Sequence, residues 1–278
     1  MCALQESRLP SGTVLPPETR KRLFPHLSGG YYARDEINPM ASKQELEAQE
    51  RELVWRFFDC RPAGFFVEVG ANDPNEFSQT WFLEQKGWQG ILIEPQPDCC
   101  ERLRQARKNS RVVQLACSAP DKRGEAMFHF ATGSAFSSLE KHVDDPEVEY
   151  ERSERVQVVT LDDVLAQAGN PAVDFVSIDT EGTELDVLRG FDLARHRPSL
   201  ILLEDKVHSL DKHLHLKRVG YKLVRRTSVN NWYVPEERPF AVPFAERLKL
   251  FRKMYLGTPW RILKLRLKKK RKGVAPAK

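Results

Sequence analysis

Phe65-Phe66-Val67-Glu68-Val69-Gly70-Ala71-Asn72-Asp73 and, about twenty residues on, Gly90-Ile91-Leu92-Ile93-Glu94-Pro95 decide how this chain folds. Each is a short, nearly unbroken apolar run that ends abruptly, at Gly70 or at Glu94-Pro95. That is the pattern of a strand buried on both faces. Between them lies room for one helix, expected over 77–86. Working outward, 111–116, 173–178 and 199–203 read as further strands, and helices are expected over 97–108, from 183 through 188, and over 210–219. Two shorter apolar runs, 126–130 and 156–161, flank a polar insertion, 132–154. The runs 221–225 and 231–234 read as a closing hairpin. Strands alternating with helices predict an α/β fold with a mostly parallel sheet and a C-terminal antiparallel hairpin.

Three segments follow from this pattern: a lead-in with a docking helix (1–63), the α/β body (64–235) and a tail (236–278). The docking helix is expected to open at the capping-box spacing Ser42-Lys43-Gln44-Glu45 and run through Phe58. Net charge is +5, but it is unevenly spread. From Phe244 onward there are 13 Lys and Arg against one acid, Glu246, whereas the preceding residues hold 31 against 38. An acidic body does not suit a nucleic acid laid across it, because phosphates need basic partners. No run of 18 apolar residues is present, and the N-terminal sequence lacks a charged-then-apolar leader pattern, so a cytoplasmic location is expected. Five cysteines without a CxxC pair argue against a zinc site or a disulfide framework; Cys99 and Cys100 read as packing residues.

In a sheet of this type ligands sit beyond the carboxyl ends of the strands. Gly70 there allows a tight turn and close approach of backbone to a ligand. A single glycine does not make a pyrophosphate cradle, which needs three. Glu94 stands where such sheets hold a ribose diol. A glycine turn and a ribose acid without phosphate glycines fit a nucleoside lacking pyrophosphate, S-adenosylmethionine foremost. Asp179 and Glu181 end the fourth main strand ahead of a helix start. Three roles are open to them: base for a hydroxyl, ligands of a divalent metal, or acceptors for a cofactor ammonium. Glu204-Asp205 at the end of the fifth strand and His208 form a second polar group on the same rim. His208 is a candidate base, and Asp179 with Glu204 are candidate metal ligands. His213 and His215 read as surface residues, and Asp162 and Asp163 as a helix start after Thr160.

The set Glu68-Val69-Gly70-Ala71-Asn72, Ile93-Glu94-Pro95, Thr160-Leu161-Asp162-Asp163, Ile178-Asp179-Thr180-Glu181-Gly182-Thr183-Glu184 and Val187-Leu188-Arg189-Gly190 resembles the FkbM-type S-adenosylmethionine-dependent methyltransferases over roughly 64–233. The resemblance implies a Rossmann-like class I methyltransferase fold acting on hydroxyls of sugars or natural products. Glu68 replaces the family's usual Asp, and Pro74 replaces a second glycine. By the same resemblance Glu68, Gly70 and Asn72 border the methionyl part, Glu94 the ribose and Ser118 the adenine edge. Gln79, Thr80 and Trp81, Ser134, Ser137 and Ser138 are expected along the acceptor cleft. Asn230-Asn231-Trp232-Tyr233 is read either as a sugar platform or as a buried hairpin. The expected acceptor is a glycan or another hydroxyl-bearing small molecule. The alternatives are a non-catalytic nucleoside-binding protein of the same fold and a nicotinamide-dependent dehydrogenase.

In the tail, Leu248, Phe251 and Tyr255 share a helical face, and a break is expected at Gly257-Thr258-Pro259. Beyond it, apolar and basic residues interleave up to Lys268-Lys269-Lys270-Arg271-Lys272. This composition suits a peripheral contact with an anionic membrane through 244–278.

Overall fold

The computed structural model describes residues 43–141 and 148–271, so the reading of 1–40 as an irregular lead-in lies outside the described residues. Helix α1 (Lys43–Phe57) precedes β1 (Phe65–Val69), α2 (Trp81–Glu84), β2 (Gln89–Ile93), α3 (Pro97–Ala106) and β3 (Ser110–Val113). Then come β4 (Ala116–Cys117), β5 (Gly124–Ala131), β6 (Tyr150–Val159), α4 (Leu161–Gln167), β7 (Phe175–Ile178), α5 (Glu184–Arg189) and α6 (Leu193–His196). The body closes with β8 (Leu200–Glu204), α7 (Asp211–Arg218), β9 (Tyr221–Thr227) and β10 (Asn230–Pro235).

Seven strands form the main sheet in the order β3-β2-β1-β7-β8-β10-β9. The first five are parallel, and β10 runs antiparallel to both of its neighbours. The chain therefore moves outward from β1 to β3, returns, and continues on the other side of β1. That reversal puts the crevice between the carboxyl ends of β1 and β7. Alternate residues face opposite sides. Val67, Ile91, Val176 and Ile201 pack under α4, α5 and α7, whereas Phe66, Leu92, Phe175 and Leu202 pack against Val54, Phe57 and Phe58 at the α1 end.

Three local expectations differ from the structure. The helix over 77–86 contracts to the four residues of α2, because the loop before it is tied down. Asp73 Oδ1 accepts the N–H groups of Asn75 and Glu76, both at 2.9 Å, and Phe77 sits at φ +60°, outside helical space. The third strand stops at Val113, whose carbonyl takes the N–H of Glu94. Ala116 and Cys117 then leave for a separate three-stranded sheet, β4-β6-β5. Within the tail, 244–271 is continuously helical, with α8 (Phe244–Phe251), a π-helical turn (Arg252–Leu256) and α9 (Gly257–Arg271), so no break occurs at 257–259. Pro259 is accommodated in the first turn of α9, where its missing N–H costs little, and Thr258 hydroxyl donates back to the Met254 carbonyl. Leu250, Met254 and Thr258 are buried, so the first half of the tail is packed against the body.

Candidate functional site

At the end of β1 the chain turns through Gly70 (φ +85°), and a Cβ there would lie 1.7 Å from the Asp179 carbonyl oxygen. The glycine is thus required by the β7 loop lying against it, in addition to allowing the tight turn expected there. Glu94 follows β2 and is buried. Its Oε2 accepts the Asn72 N–H at 2.9 Å and its Oε1 the Gln96 N–H at 2.8 Å. Each oxygen keeps a second lone pair, enough to accept from a diol. Burial raises the Glu94 pKa, and the two backbone donors oppose the rise. Asn72 thus acts through its backbone on Glu94, while its side-chain oxygen accepts from the Cys99 thiol at 3.5 Å. Ser118, after β4, is buried, and its hydroxyl has no hydrogen-bond partner.

Two cavities adjoin at this edge. The smaller, about 50 Å³, is lined by Glu94, Pro95, Ala116, Cys117, Ser134 and Ser137 among others. The larger, about 330 Å³, extends from Gln79 to Glu204, Asn230 and the Glu50 side of α1. Gly70, Asn72, Ala135, Asp179 and Glu181 line both.

Asp179 is open to the cavities, whereas Glu204 is buried. Asp179, Glu181 and Glu204 each present an oxygen, all within 4.8 Å of one another. The protein around Asp179, the nearby Glu204 and Glu181, and a hydrogen bond to Glu204 hold its pKa well above the ordinary carboxylate range. Glu204 is also raised, first by burial and then by Glu181. The crowding of Asp179 and Glu204 favours the protonated form of each over the ordinary carboxylate. Lys206 supplies the countercharge, with Nζ 2.9 Å from Glu181 and 3.8 Å from Glu204. Burial opposes its protonation, but these carboxylates raise its pKa.

Glu184 builds the loop that carries Asp179 and Glu181. Its Oε1 accepts the N–H of Gly182 at 2.7 Å and of Thr180 at 3.3 Å, and its Oε2 takes Lys212 Nζ at 3.1 Å. With Glu181 at φ +52° and Gly182 at φ +111°, this loop departs from ordinary backbone geometry, and Glu184 holds it there. Ser138, from the inserted segment, donates to the carbonyls of Thr180 and Glu181 at 3.2 and 3.1 Å.

Residues 68–223 match the Methyltransferase FkbM domain. The chain belongs to the FkbM methyltransferase family. The match spans more than half of the chain and runs from the end of β1 through the crevice to the start of the final hairpin. No curated protein sequence matches the chain. Among solved structures, the N-terminal domain of human METTL16 in complex with SAH is similar at a TM-score of 0.39 and 12% identity, covering 72% of either chain. Precorrin-6y C5,15-methyltransferase from Geobacter metallireducens GS-15 gives 0.36 and 13%, covering 71% of this chain and 90% of that one. The Methanococcus jannaschii fibrillarin pre-rRNA processing protein gives 0.39 and 11%, with 72% and 77% covered. These likenesses are distant, and the assignment rests on the family match and the strand order. The protein is a class I, S-adenosylmethionine-dependent methyltransferase.

Several residues expected at the methyltransferase site have other duties. Glu68 touches the larger cavity, but its carboxylate is taken up by Ser78 hydroxyl (3.0 Å), Gln79 N–H (2.9 Å) and Thr80 hydroxyl (2.6 Å). Thr80 is fully buried in that network. His208 is exposed and lines neither cavity. His213, expected at the surface, is buried, and its nitrogens meet Tyr233 hydroxyl at 3.2 Å and Tyr255 hydroxyl of the tail at 2.9 Å. Asn231, Trp232 and Tyr233 are buried, so the hairpin reading holds for them, and only Asn230 of that run reaches the cavity. Burial pushes the Cys99 and Cys100 thiols up to about 11 and about 12, consistent with packing. Asp163 forms the capping box with Thr160. Glu184, Lys206 and Lys212 were not singled out in the sequence. Glu184 lies one helical turn before Leu188 and offered a signal as a buried acid; the lysines offered none.

Proposed function

We propose that the enzyme transfers a methyl group to a hydroxyl of a sugar or glycan. The observation that carries this reading is the meeting of the two cavities at Asp179 and Glu181, with Phe77 and Phe136 exposed along the larger one. Aromatic faces beside carboxylates suit a polyhydroxyl ligand, whose C–H faces stack while its hydroxyls donate. Ser118 lines neither cavity, whereas Glu94, a buried acceptor in the wall of the smaller one, fits a nucleoside there. Its small volume requires the Ser134–Phe136 turn to shift outward on binding, releasing the 3.0 Å bond from Gln96 Nε2 to the Ser134 carbonyl. When bound, S-adenosylmethionine supplies an electrophilic methyl group. Asp179, in its ionised form, accepts the proton of the acceptor hydroxyl, and Glu204 shares that proton. Glu181 and Lys206 fix the charge around the pair. His208 is left as a minor candidate for the base because it lies outside the lining.

A divalent cation is a second reading, favoured by the three carboxylate oxygens within 4.8 Å. It would displace Lys206 from Glu181. Transfer from labelled methyl donor to a glycan panel, run with and without EDTA, tests both readings. Transfer that survives chelation supports the lysine arrangement, and the absence of transfer to every hydroxyl acceptor sinks the glycan reading.

The tail carries a separate proposal. Phe244, Leu248, Phe251, Leu256, Trp260 and Leu263 are exposed on α8, the π turn and α9, among basic residues. No described helix is long and apolar enough to cross a membrane. A basic rod with exposed apolar side chains suits the surface of an anionic leaflet, on the cytoplasmic face where lipid-linked glycans would be met. It is equally the place to look for phosphate partners, and the acidic body still disfavours nucleic acid at the site. Flotation with anionic and neutral vesicles decides it: salt-reversible binding to the anionic ones alone is expected, and no binding to either overturns the proposal.

A further inference from the structure

Beyond the carboxylates already accounted for, the larger cavity is lined by Glu47, Glu50 and Glu76, and by no Lys, Arg or His among the described residues. Glu47 has Arg51 at 3.7 Å. Glu50 differs. It projects from α1, is buried (4% exposed), and its carboxylate receives neutral donors: the Thr227 hydroxyl, Asn230 Nδ2 at 2.7 Å and Trp232 Nε1 at 3.3 Å. Oε2 accepts from Asn230 and retains a lone pair. Such a carboxylate is poorly compensated, and burial pushes its pKa up to about 7. A second group in the same lining is also short of a partner. Gln79 is 8% exposed, and its Oε1 has no hydrogen-bond donor among the described residues. Carboxylate and amide oxygen both call for N–H or O–H donors from whatever fills the cavity.

Resting on the reading of this cavity as the acceptor site, we propose that the acceptor carries a protonated amine as well as the hydroxyl to be methylated, and that Glu50 holds the amine while Gln79 Oε1 takes a further donor. Glu50 lies outside the family match at 68–223, so the preference belongs to this chain's own N-terminal helix. It also does not line the smaller cavity, the one read as taking the nucleoside, and an unchanged affinity for S-adenosylhomocysteine in Glu50→Gln would separate it from the cofactor's own ammonium group. An anionic acceptor would meet a lining whose charged side chains, among the described residues, are all carboxylates.

Trp232 Nε1–H donates to the Thr227 hydroxyl at 2.9 Å, which itself donates to Glu50, and more weakly to Glu50 at 3.3 Å, so its indole resonance reports on that carboxylate. The full chain, labelled with nitrogen-15 tryptophan and saturated with S-adenosylhomocysteine, is titrated with glucosamine, glucose and glucuronate. These sugars share a ring size and differ in charge. Glucosamine should give a saturable Trp232 shift with an affinity at least about tenfold above that of glucose, and glucuronate should give none. Glu50→Gln should erase the advantage of glucosamine and leave the affinity for S-adenosylhomocysteine unchanged. Equal responses to glucose and glucosamine, no response to any of the three, or a loss of S-adenosylhomocysteine affinity in Glu50→Gln would overturn the proposal. Failure of the unmodified chain to bind S-adenosylhomocysteine would instead overturn the reading on which it rests. The wild-type series decides the charge preference alone; the variant locates it.

Discussion

Two groups of carboxylates stand near the same sheet and end differently. Glu68 and Glu84 surround Arg107, which is fully buried. Its Nε bonds Glu84 at 2.6 Å, and Nη2 and Nη1 bond Thr80 hydroxyl at 2.8 Å and the Pro74 carbonyl at 3.2 Å. Glu84 also accepts from Asn109 N–H at 3.0 Å and Ser110 hydroxyl at 2.5 Å. Asp179, Glu181 and Glu204 crowd together at the cavity wall, with the half-exposed Lys206 against Glu181 and Glu204. The first group finds its donors within the chain and serves to fix the loop between β1 and α2. The second crowds like charges where the two cavities meet, the kind of arrangement that reactive sites use. Glu68 looked like a member of the second group from its motif position, but its donors put it in the first.

Breaking the first group should have the largest effect. Arg107→Met leaves Glu84 buried without its cation and should cost about 3–5 kcal/mol of stability, read as a lowered urea midpoint. A midpoint close to wild type would mean that the network is not what fixes the loop.

Glu50 gives the next largest effect, through pH. Its folded pKa, about 7, lies above its ordinary value of 4.5, so the native state binds its proton more tightly than the unfolded chain. The stability it contributes is complete below pH 4.5 and is lost as pH rises through 7. Glu47 raises this pKa and Arg51 lowers it, both less than burial does. The loss between those limits is about 3 kcal/mol. Urea unfolding across that range should show the decline, and Glu50→Gln should remove that share of it. Glu94, Asp179 and Glu204 contribute slopes of the same sign that persist in the variant.

The fold was legible because β1, β2, β7 and β8 are short apolar runs that stop at Gly70, Glu94, Asp179 and Glu204, with Glu68 and Ser177 the polar residues buried inside them. What stayed hidden depends on contacts between distant segments. The contraction of α2 follows from Asp73 and Glu68 capturing backbone donors. The burial of His213 follows from a tail residue more than forty positions away. The site's acids were legible as strand-end carboxylates, but Lys206 and Lys212, which set their charge balance, look in sequence like any solvated lysine. Glu50 was read only as part of an amphipathic helix, since its partners Thr227, Asn230 and Trp232 arrive with the last hairpin.

The second group can be sharpened by removing one member. Glu204→Gln takes away a charge beside Asp179, so the Asp179 pKa should fall. The acid limb of the pH–rate profile, which rises as Asp179 ionises, should then move to lower pH. A limb that stays in place would remove Asp179 as the titrating base.

Calorimetric titration with S-adenosylhomocysteine tests most directly whether the edge between β1, β2 and β7 is the cofactor site. The unmodified chain should bind it. Glu94→Ala removes the buried acceptor between Asn72 and Gln96 and should weaken binding by about 1–3 kcal/mol, a loss of roughly five- to 150-fold. An affinity in Glu94→Ala equal to that of the unmodified chain would contradict the assignment of this crevice as the cofactor site.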